Sequence, residues 1–307
     1  MIELKNDSLR KHMVLPLKER LKIKFPTQRA ILSPWLLESS LNMIYAWRGV
    51  GKTHVALEIA YAVASGGVFL NWKAESSEGV LYIDGEMPPS LLNTRLERMV
   101  NNESTYPDKL WIFGLSHEQI MPDLGTVEGQ NVIDSYMLPE IKLIIIDNLS
   151  CLVRSGGREN DAESWNSIEQ WALQKRAQGI SIIFIHHSGK NGSQCGTSKR
   201  ERVLDTVLLL KHPHDYEASQ GARFEIHFEK ARHLYGNSVK TLTVNLERKD
   251  DTYQWKTETL IESNKQKVIE MNKEGLSNKE IVAELGISRQ AVHKHLKQSK
   301  ESIASTG

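Results

Sequence analysis

The residues whose types and spacing point most directly to chemistry lie between positions 42 and 54. An apolar run leads into a turn of small residues, which is followed by Gly51, Lys52 and Thr53 and then by an apolar pattern with helical spacing. Strand, loop and helix in this order are typical of a P-loop, where main-chain amides and a helix N-terminus surround a phosphate. We therefore expect Lys52 to reach the β- and γ-phosphates of a nucleoside triphosphate and Thr53 to bind Mg²⁺.

The predicted phosphate-binding residues form one continuous stretch. They are Ala46, Trp47, Arg48, Gly49, Val50, Gly51, Lys52, Thr53 and His54. Ala46 stands where this motif usually has its first glycine. Alanine adopts positive φ poorly, but the position mainly requires a small side chain, so we expect the loop to tolerate it.

Carboxylates at the ends of two predicted strands are candidates for metal binding and hydrolysis. An apolar strand at residues 141–147 ends in Asp147, which would hold Mg²⁺ at the edge where open α/β sheets bind ligands. Another strand runs into an acidic turn with Asp84 and Glu86, and one of these carboxylates could orient the attacking water. We favour Glu86, because Asp84 lies further inside the strand; the alternative is a carboxylate that caps the next helix.

A third apolar strand ends in His186 and His187 and leads into a basic loop. Neighbouring residues of a strand point to opposite faces, so the pair is a poor metal site. A histidine at this position could hydrogen bond the γ-phosphate and report its presence to the loop. The loop cations, for which we predict DNA contacts, are Lys190, Lys199, Arg200 and Arg202. A solvated loop is the alternative.

Lys230 and Arg232 alternate along a predicted strand and so share a face. Two cations on one face can stabilise the charge of a transferring phosphoryl group, here in the site of a neighbouring subunit. The alternative is an ordinary solvated face of the sheet.

The pattern that must position these residues is an alternation of strands and helices. The predicted strands cover residues 42–47, 68–72, 79–84, 109–114, 141–147, 180–186, 206–211, 222–231, 239–247 and 253–259. The predicted helices cover residues 53–64, 89–100, 162–177 and 265–273. This order predicts an α/β fold with a mostly parallel sheet covered on both faces, extended after Asp205 by antiparallel strands.

The C-terminal stretch is shorter, helical and more basic. Ser277 and Ser288 are placed to cap two helices that are separated by a turn at Gly286. The pattern resembles a helix-turn-helix of the LuxR/resolvase type. The second helix of that unit would turn a set of side chains towards a DNA major groove: Ser288, Arg289, Gln290, His293 and Lys294. A helical module for protein contacts is the alternative.

Composition and length limit the remaining possibilities. A chain of 307 residues can hold one large and one small domain, and we predict a basic segment at 1–30, an ATPase domain at 31–260 and the helix-turn-helix at 264–300. The basic segment is either a solvated lead-in or an arm that contacts a neighbouring subunit or nucleic acid. The net charge of +1 indicates nothing about nucleic acid.

No apolar run is long enough to cross a membrane, and the basic N-terminus lacks the apolar region of a secretory signal. Cys151 and Cys195 are not spaced as metal ligands. A reduced, cytoplasmic setting is therefore expected.

Several motifs in this order resemble the RecA/DnaB-type ATPase core, most closely the RepA-like hexameric helicases of plasmids and mobile elements. They lie at residues 46–53, 84–86, 144–148, 157–161, 186–190 and 230–232, and the resemblance covers about residues 31–259. It implies Glu86 as the catalytic carboxylate, His187 or His186 as the sensor, and Lys230 and Arg232 as cations that act on the next subunit. It also implies a ring with active sites between subunits. The loop after Lys190 is more basic than this family pattern.

We therefore expect a cytoplasmic ATPase that uses ATP and Mg²⁺ and acts on single-stranded or duplex DNA as a hexameric ring. Replication of a mobile element, by unwinding or by loading, is the expected context. The alternative is an ATP-switched transcription or partition regulator, and a third possibility is a defence or repair ATPase.

Overall fold

The computed structural model describes residues 14–100, 106–114, 120–154, 162–188, 200–249 and 252–304. Its strands are β1 (Ala30–Leu32), β2 (Leu36–Leu37), β3 (Leu41–Ala46), β4 (Val68–Phe69), β5 (Trp72–Lys73), β6 (Gly79–Asp84), β7 (Leu110–Phe113), β8 (Ile141–Asp147), β9 (Ser181–His187), β10 (Thr206–Lys211), β11 (Arg223–Ala231), β12 (Leu242–Lys249) and β13 (Thr252–Thr259). Its helices are α1 (Leu17–Arg20), α2 (Lys52–Ser65), α3 (Pro89–Met99), α4 (Val127–Ser135), α5 (Leu149–Leu152), α6 (Ala162–Ala177), α7 (Leu260–Lys273), α8 (Asn278–Leu285) and α9 (Arg289–Ala304).

A nine-stranded sheet, formed by strands between Leu41 and Thr259, has the order β13-β12-β11-β10-β3-β9-β8-β6-β7. The six strands from β10 to β7 are parallel, and β11, β12 and β13 add antiparallel pairs. The predicted α/β class with its antiparallel extension is therefore confirmed. Because the parallel strands run the same way, the C-terminal ends of β3, β6, β8 and β9 meet at one edge.

Apolar side chains cover both faces of this sheet. One cluster packs α2 against the sheet through residues such as Val55, Ile59 and Val63. The other cluster packs α6 against the opposite face through Trp165 and Ile168. Strands β3 and β6 are buried along their whole length. This explains their continuous apolar sequence, because a strand covered on both faces does not alternate with polar residues.

The predicted strand at 68–72 is wrong as a member of the main sheet. These residues form the separate hairpin of β4 and β5, in which Val68 is exposed while Phe69 and Trp72 pack edge-on into the core beneath α2. Leu70, at φ 57°, turns the chain between the two short strands. The local spacing of apolar residues does not distinguish this turn from a continuous strand.

The C-terminal helices pack around a small core of their own, made by Val268, Ile281, Leu285 and Val292. Helix α7 begins at Leu260, five residues before its predicted start. A capping box between Thr259 and Glu262 accounts for this earlier start, since it satisfies the first free amides directly after β13.

Polar contacts join these helices to the connection between β10 and β11. The Lys267 ammonium lies 2.7 Å from the Asp215 carboxylate, and His214 Nδ1 lies 3.1 Å from the Glu284 carbonyl oxygen. The predicted domain limits stay a prediction. No helix within the described ranges combines the length and apolar character needed to cross a membrane.

We predict that Gly79→Ala lowers the free energy of unfolding by about 1–3 kcal/mol. A Cβ atom at Gly79 would lie 2.4 Å from the main-chain oxygen of Glu140, so β6 and β8 would have to separate. Urea unfolding measures the change. Gly114→Ala is the control, because its added Cβ meets only the movable tip of Leu92 at 3.3 Å. Equal losses in both variants would contradict the prediction.

Candidate active site

The predicted phosphate-binding loop connects the end of β3 to the start of α2. Gly49 and Gly51 have φ values of 80° and 122°, which residues with a Cβ rarely adopt. Ala46 is the last residue of β3 and has no positive φ, so alanine is accommodated there without strain. The loop therefore requires glycine at positions 49 and 51, where φ is positive, and not at position 46.

Lys52 turns back onto this loop. Its ammonium group donates hydrogen bonds to the main-chain oxygens of Ala46 and Trp47, both at 3.1 Å, and the residue is 6% exposed. Burial lowers the pKa of Lys52, while the negative charges of Asp147 and Glu86 oppose that shift. Phosphate oxygens of a nucleotide could replace these two carbonyl oxygens as hydrogen-bond acceptors of the Lys52 ammonium group.

Asp147 ends β8 next to the first turn of α2. Its carboxylate hydrogen bonds the Thr53 hydroxyl and accepts a 2.7 Å bond from the Tyr82 hydroxyl. Burial raises the pKa of Asp147 to about 6, so the group is mostly ionised at neutral pH. A carboxylate beside a hydroxyl is the oxygen donor set that Mg²⁺ prefers. The two predicted metal-binding residues, Thr53 and Asp147, are thus adjacent, and their chemistry fits this ion.

Asp84 and Glu86 have different environments at the end of β6. Asp84 is buried and lies level with Asp147 on the neighbouring strand. Its Oδ1 accepts hydrogen bonds from the amides of Glu86 and Met87, both at 2.8 Å, and so holds the turn. The Glu86 side chain is 56% exposed and therefore reachable by water and substrate. The geometry gives Asp84 a structural task and leaves Glu86 as the accessible carboxylate.

Glu86 belongs to a polar cluster formed by the ends of three neighbouring strands. The Asn148 side-chain amide donates to the Glu86 carboxylate and lies 3.2 Å from His187 Nε2. His187 Nε2 in turn lies 3.9 Å from Glu86 Oε2. His186 is buried in register with Tyr45, so His187 is the histidine that faces the other candidates. The sequence reasoning assigned no role to Asn148, although it directly follows Asp147.

Lys230 and Arg232 lie at the opposite edge of the sheet. Lys230 pairs with Val207, which is level with Met43 at the start of β3. The pairing skips Glu229, a bulge that re-aims the following side chains. Lys230 donates to the Glu201 carbonyl oxygen.

Arg232 contacts the same segment as Lys230. It donates to the Arg202 carbonyl oxygen, and its Nη1 lies 3.6 Å from Asp205 Oδ1. The two cations therefore lie side by side, away from the phosphate-binding loop of their own chain.

The predicted DNA-contacting residues fall into two groups. Lys190 and Lys199 lie outside the described residues, as does the side chain of Arg200, while Arg202 is exposed. The C-terminal group is exposed on α9 and its preceding turn: Ser288, Arg289, Gln290, His293 and Lys294. Arg202, the member of the first group whose side chain the structure describes, lies beside Arg232, which donates to its carbonyl oxygen.

A cavity of about 180 Å³ adjoins the start of α2. It is bordered by α2, α3 and the β12–β13 hairpin, and its lining includes His54, Leu57, Glu58, Arg95, Leu246 and Tyr253. Burial, reinforced by Arg95 and Arg98, lowers the pKa of His54 to about 4, so the ring is neutral at pH 7. Only His54 belongs to the predicted phosphate-binding stretch, since Arg95, Leu246 and Tyr253 reach the cavity from elements distant in sequence.

This fold and site define a P-loop ATPase of the RecA type. A family model described as an AAA domain matches residues 9–193, and the chain belongs to that family. A KaiC-like protein from the hyperthermophilic archaeon Pyrococcus horikoshii OT3 is similar in structure, with a TM-score of 0.51 and 14% sequence identity. The match covers 71% of this chain and 90% of the archaeal one. Comparison with curated proteins finds no significant match.

We predict that Glu58→Gln becomes more stable, relative to the wild type, as pH rises. Burial raises the pKa of Glu58 from 4.5 to about 7. Between these values the folded state keeps a proton that the unfolded chain releases, so wild-type stability falls with increasing pH. The relative gain should be on the order of 3 kcal/mol across that window.

Urea unfolding at several pH values measures this difference. Glutamine keeps the acceptor for the Trp255 indole N–H, which donates to Glu58 at 2.8 Å. A difference between the two proteins that stays constant with pH would contradict the prediction.

Proposed function

We propose that this protein is a Mg²⁺-dependent ATPase that acts on DNA as a ring of subunits. It would serve as a RepA-like helicase or as a replication or loading ATPase of a mobile element. The observation that carries the proposal is the convergence of Lys52, Thr53, Asp147 and Glu86 at one edge of the sheet. These are a phosphate-binding cation, two metal donors and an accessible carboxylate.

In the proposed mechanism, the amides of the loop and the ammonium of Lys52 bind the phosphates. Thr53 and Asp147 would hold Mg²⁺, which would supply charge neutralisation. Glu86 accepts a hydrogen bond from the attacking water and orients it. His187 lies close enough to Glu86 to respond when Asn148 or Glu86 moves. The cavity beside His54, which is lined by apolar, aromatic and charged side chains, would hold the nucleoside.

The position of Lys230 and Arg232 supports a site shared between subunits. The strand pairing sets Lys230 about 10 Å from the end of β3, measured along the sheet, and on the side away from the phosphates. Neither cation can therefore neutralise the phosphates of its own chain. A head-to-tail ring would bring them to the next chain's site.

The exposed residues at the start of α9 support contact with DNA. Arg289 and Gln290 carry the side-chain types that read guanine and adenine edges, and Lys294 suits a phosphate. Because α7 follows β13 without a connecting residue, DNA held by these helices would be coupled closely to the ATPase sheet.

One observation favours the second candidate, an ATP-switched transcription or partition regulator. The Asn148 amide donates a hydrogen bond to the Glu86 carboxylate, and this contact restrains the exposed side chain until the bond breaks. A protein that hydrolyses slowly and mainly signals its nucleotide state would use such a contact.

We predict that two inactive variants restore hydrolysis when mixed. Glu86→Gln subunits should bind ATP without cutting it, while Arg232→Ala subunits keep a complete site but offer no arginine to a neighbour. In a mixed ring, some sites combine the nucleotide-binding residues and Glu86 of an Arg232→Ala subunit with the Arg232 of a neighbouring Glu86→Gln subunit. Such a site has every group. Random mixing at equal amounts should restore hydrolysis at about a quarter of the sites.

The readout is phosphate release with DNA present, with each variant alone as the control. A mixture that releases no more phosphate than the sum of the two variants would contradict a shared site.

Unwinding separates the two candidate functions. We expect the wild type to separate a forked duplex in the presence of ATP and Mg²⁺, and Lys52→Ala to lose this activity because it cannot grip the phosphates. Strand separation is measured by fluorescence. If the wild type instead leaves the fork intact and protects one specific duplex site in an ATP-dependent manner, the regulator is the correct assignment.

A further inference from the structure

Tyr82 is a fully buried tyrosine in the middle of the sheet. It lies in β6, and its ring faces the cluster beneath α2 together with Val80 and Ile145. Its hydroxyl donates a 2.7 Å hydrogen bond to Oδ2 of Asp147. Phenylalanine would fill the same apolar space, so packing alone does not require the hydroxyl.

The hydroxyl has a defined chemical role at this position. A phenol hydroxyl carries one proton, and here that proton is donated to Asp147 Oδ2. A permanent donor on one carboxylate oxygen fixes the rotation of the Asp147 carboxylate. Thr53 hydrogen bonds the same carboxylate from α2. The carboxylate is therefore oriented by two donors that come from different elements of the fold.

We propose that Tyr82 is a positioning residue for metal binding, which acts by holding the Asp147 carboxylate in the orientation that presents it to Mg²⁺. This inference rests on the proposed function, because it assumes that Asp147 and Thr53 hold the ion. Partners that hydrogen bond a metal-binding carboxylate set its orientation, and their loss typically weakens metal binding by roughly 10–100-fold.

A purely structural role for the hydroxyl makes a different prediction. If Tyr82 only satisfied a buried carboxylate, its loss would lower stability and leave the metal requirement unchanged. A positioning role instead changes the affinity for the metal, while the maximal rate returns at high metal concentration.

Tyr45 provides a matched control. It is also a buried tyrosine of the main sheet, and its hydroxyl likewise donates to a carboxylate, that of Glu229. That carboxylate lies on β11 at the bulge, away from Thr53 and Asp147. Tyr45→Phe therefore removes an equivalent hydrogen bond without touching the proposed metal ligands.

The test titrates Mn²⁺ into the full-length protein with a non-hydrolysable ATP analogue and follows free Mn²⁺ by electron paramagnetic resonance. We expect Tyr82→Phe to weaken Mn²⁺ binding by roughly tenfold and Tyr45→Phe to leave it unchanged. Binding of the analogue without divalent cations should be equal in all three proteins. Hydrolysis by Tyr82→Phe should return close to the wild-type rate in excess Mg²⁺.

Unchanged Mn²⁺ affinity in Tyr82→Phe would overturn the inference while the proposed ATPase stands. An equal loss in Tyr45→Phe would also overturn it, since the effect would then come from general weakening of the sheet. If the wild type itself bound no Mn²⁺ with the analogue, both the inference and the proposed function would be wrong.

Discussion

A buried ammonium group at the start of α2 is attracted to carboxylates at the ends of β6 and β8. Lys52 lies in a low-dielectric setting where an isolated charge is costly, and two carbonyl oxygens of the loop and the negative charge of Asp147 partly offset that cost. The parallel strands are the reason these groups meet, because their C-terminal ends share one edge. The negatively charged oxygens of a bound triphosphate would stabilise the Lys52 ammonium more than the neutral carbonyl oxygens do. The fold therefore favours binding of an anion here.

The same sheet separates the two halves of the chemistry. The phosphate-binding loop and Glu86 lie at one edge, whereas Lys230 and Arg232 lie at the other and bind the carbonyl oxygens of residues 201–202. In the proposed mechanism, a single chain thus offers an incomplete set of charges to a transferring phosphoryl group. If copies stack head to tail as proposed, each nucleotide would respond to its neighbour's position. The proposed shared site is the physical basis for proposing motion along DNA.

Sequence patterns predicted the parts of the fold that depend on local order. Spacing alone was enough to predict the loop between β3 and α2. It was also enough to predict the apolar strand β8 that ends in Asp147. The hairpin of β4 and β5 was missed because its turn residue, Leu70, looks like part of a strand. Asn148 and Tyr82 were missed as site residues because their importance comes from contacts with Glu86 and Asp147. Those contacts form only when strands distant in sequence pair, so the spacing of residues along the chain does not predict them.

The central claim is that one chain holds the phosphates and another completes the site. The most direct measurement is the rate of ATP hydrolysis per chain as a function of protein concentration, with Mg²⁺ and single-stranded DNA in excess. The account predicts that this rate rises steeply with concentration and levels off when the ring is complete. A rate per chain that is already maximal for the dilute monomer would contradict it.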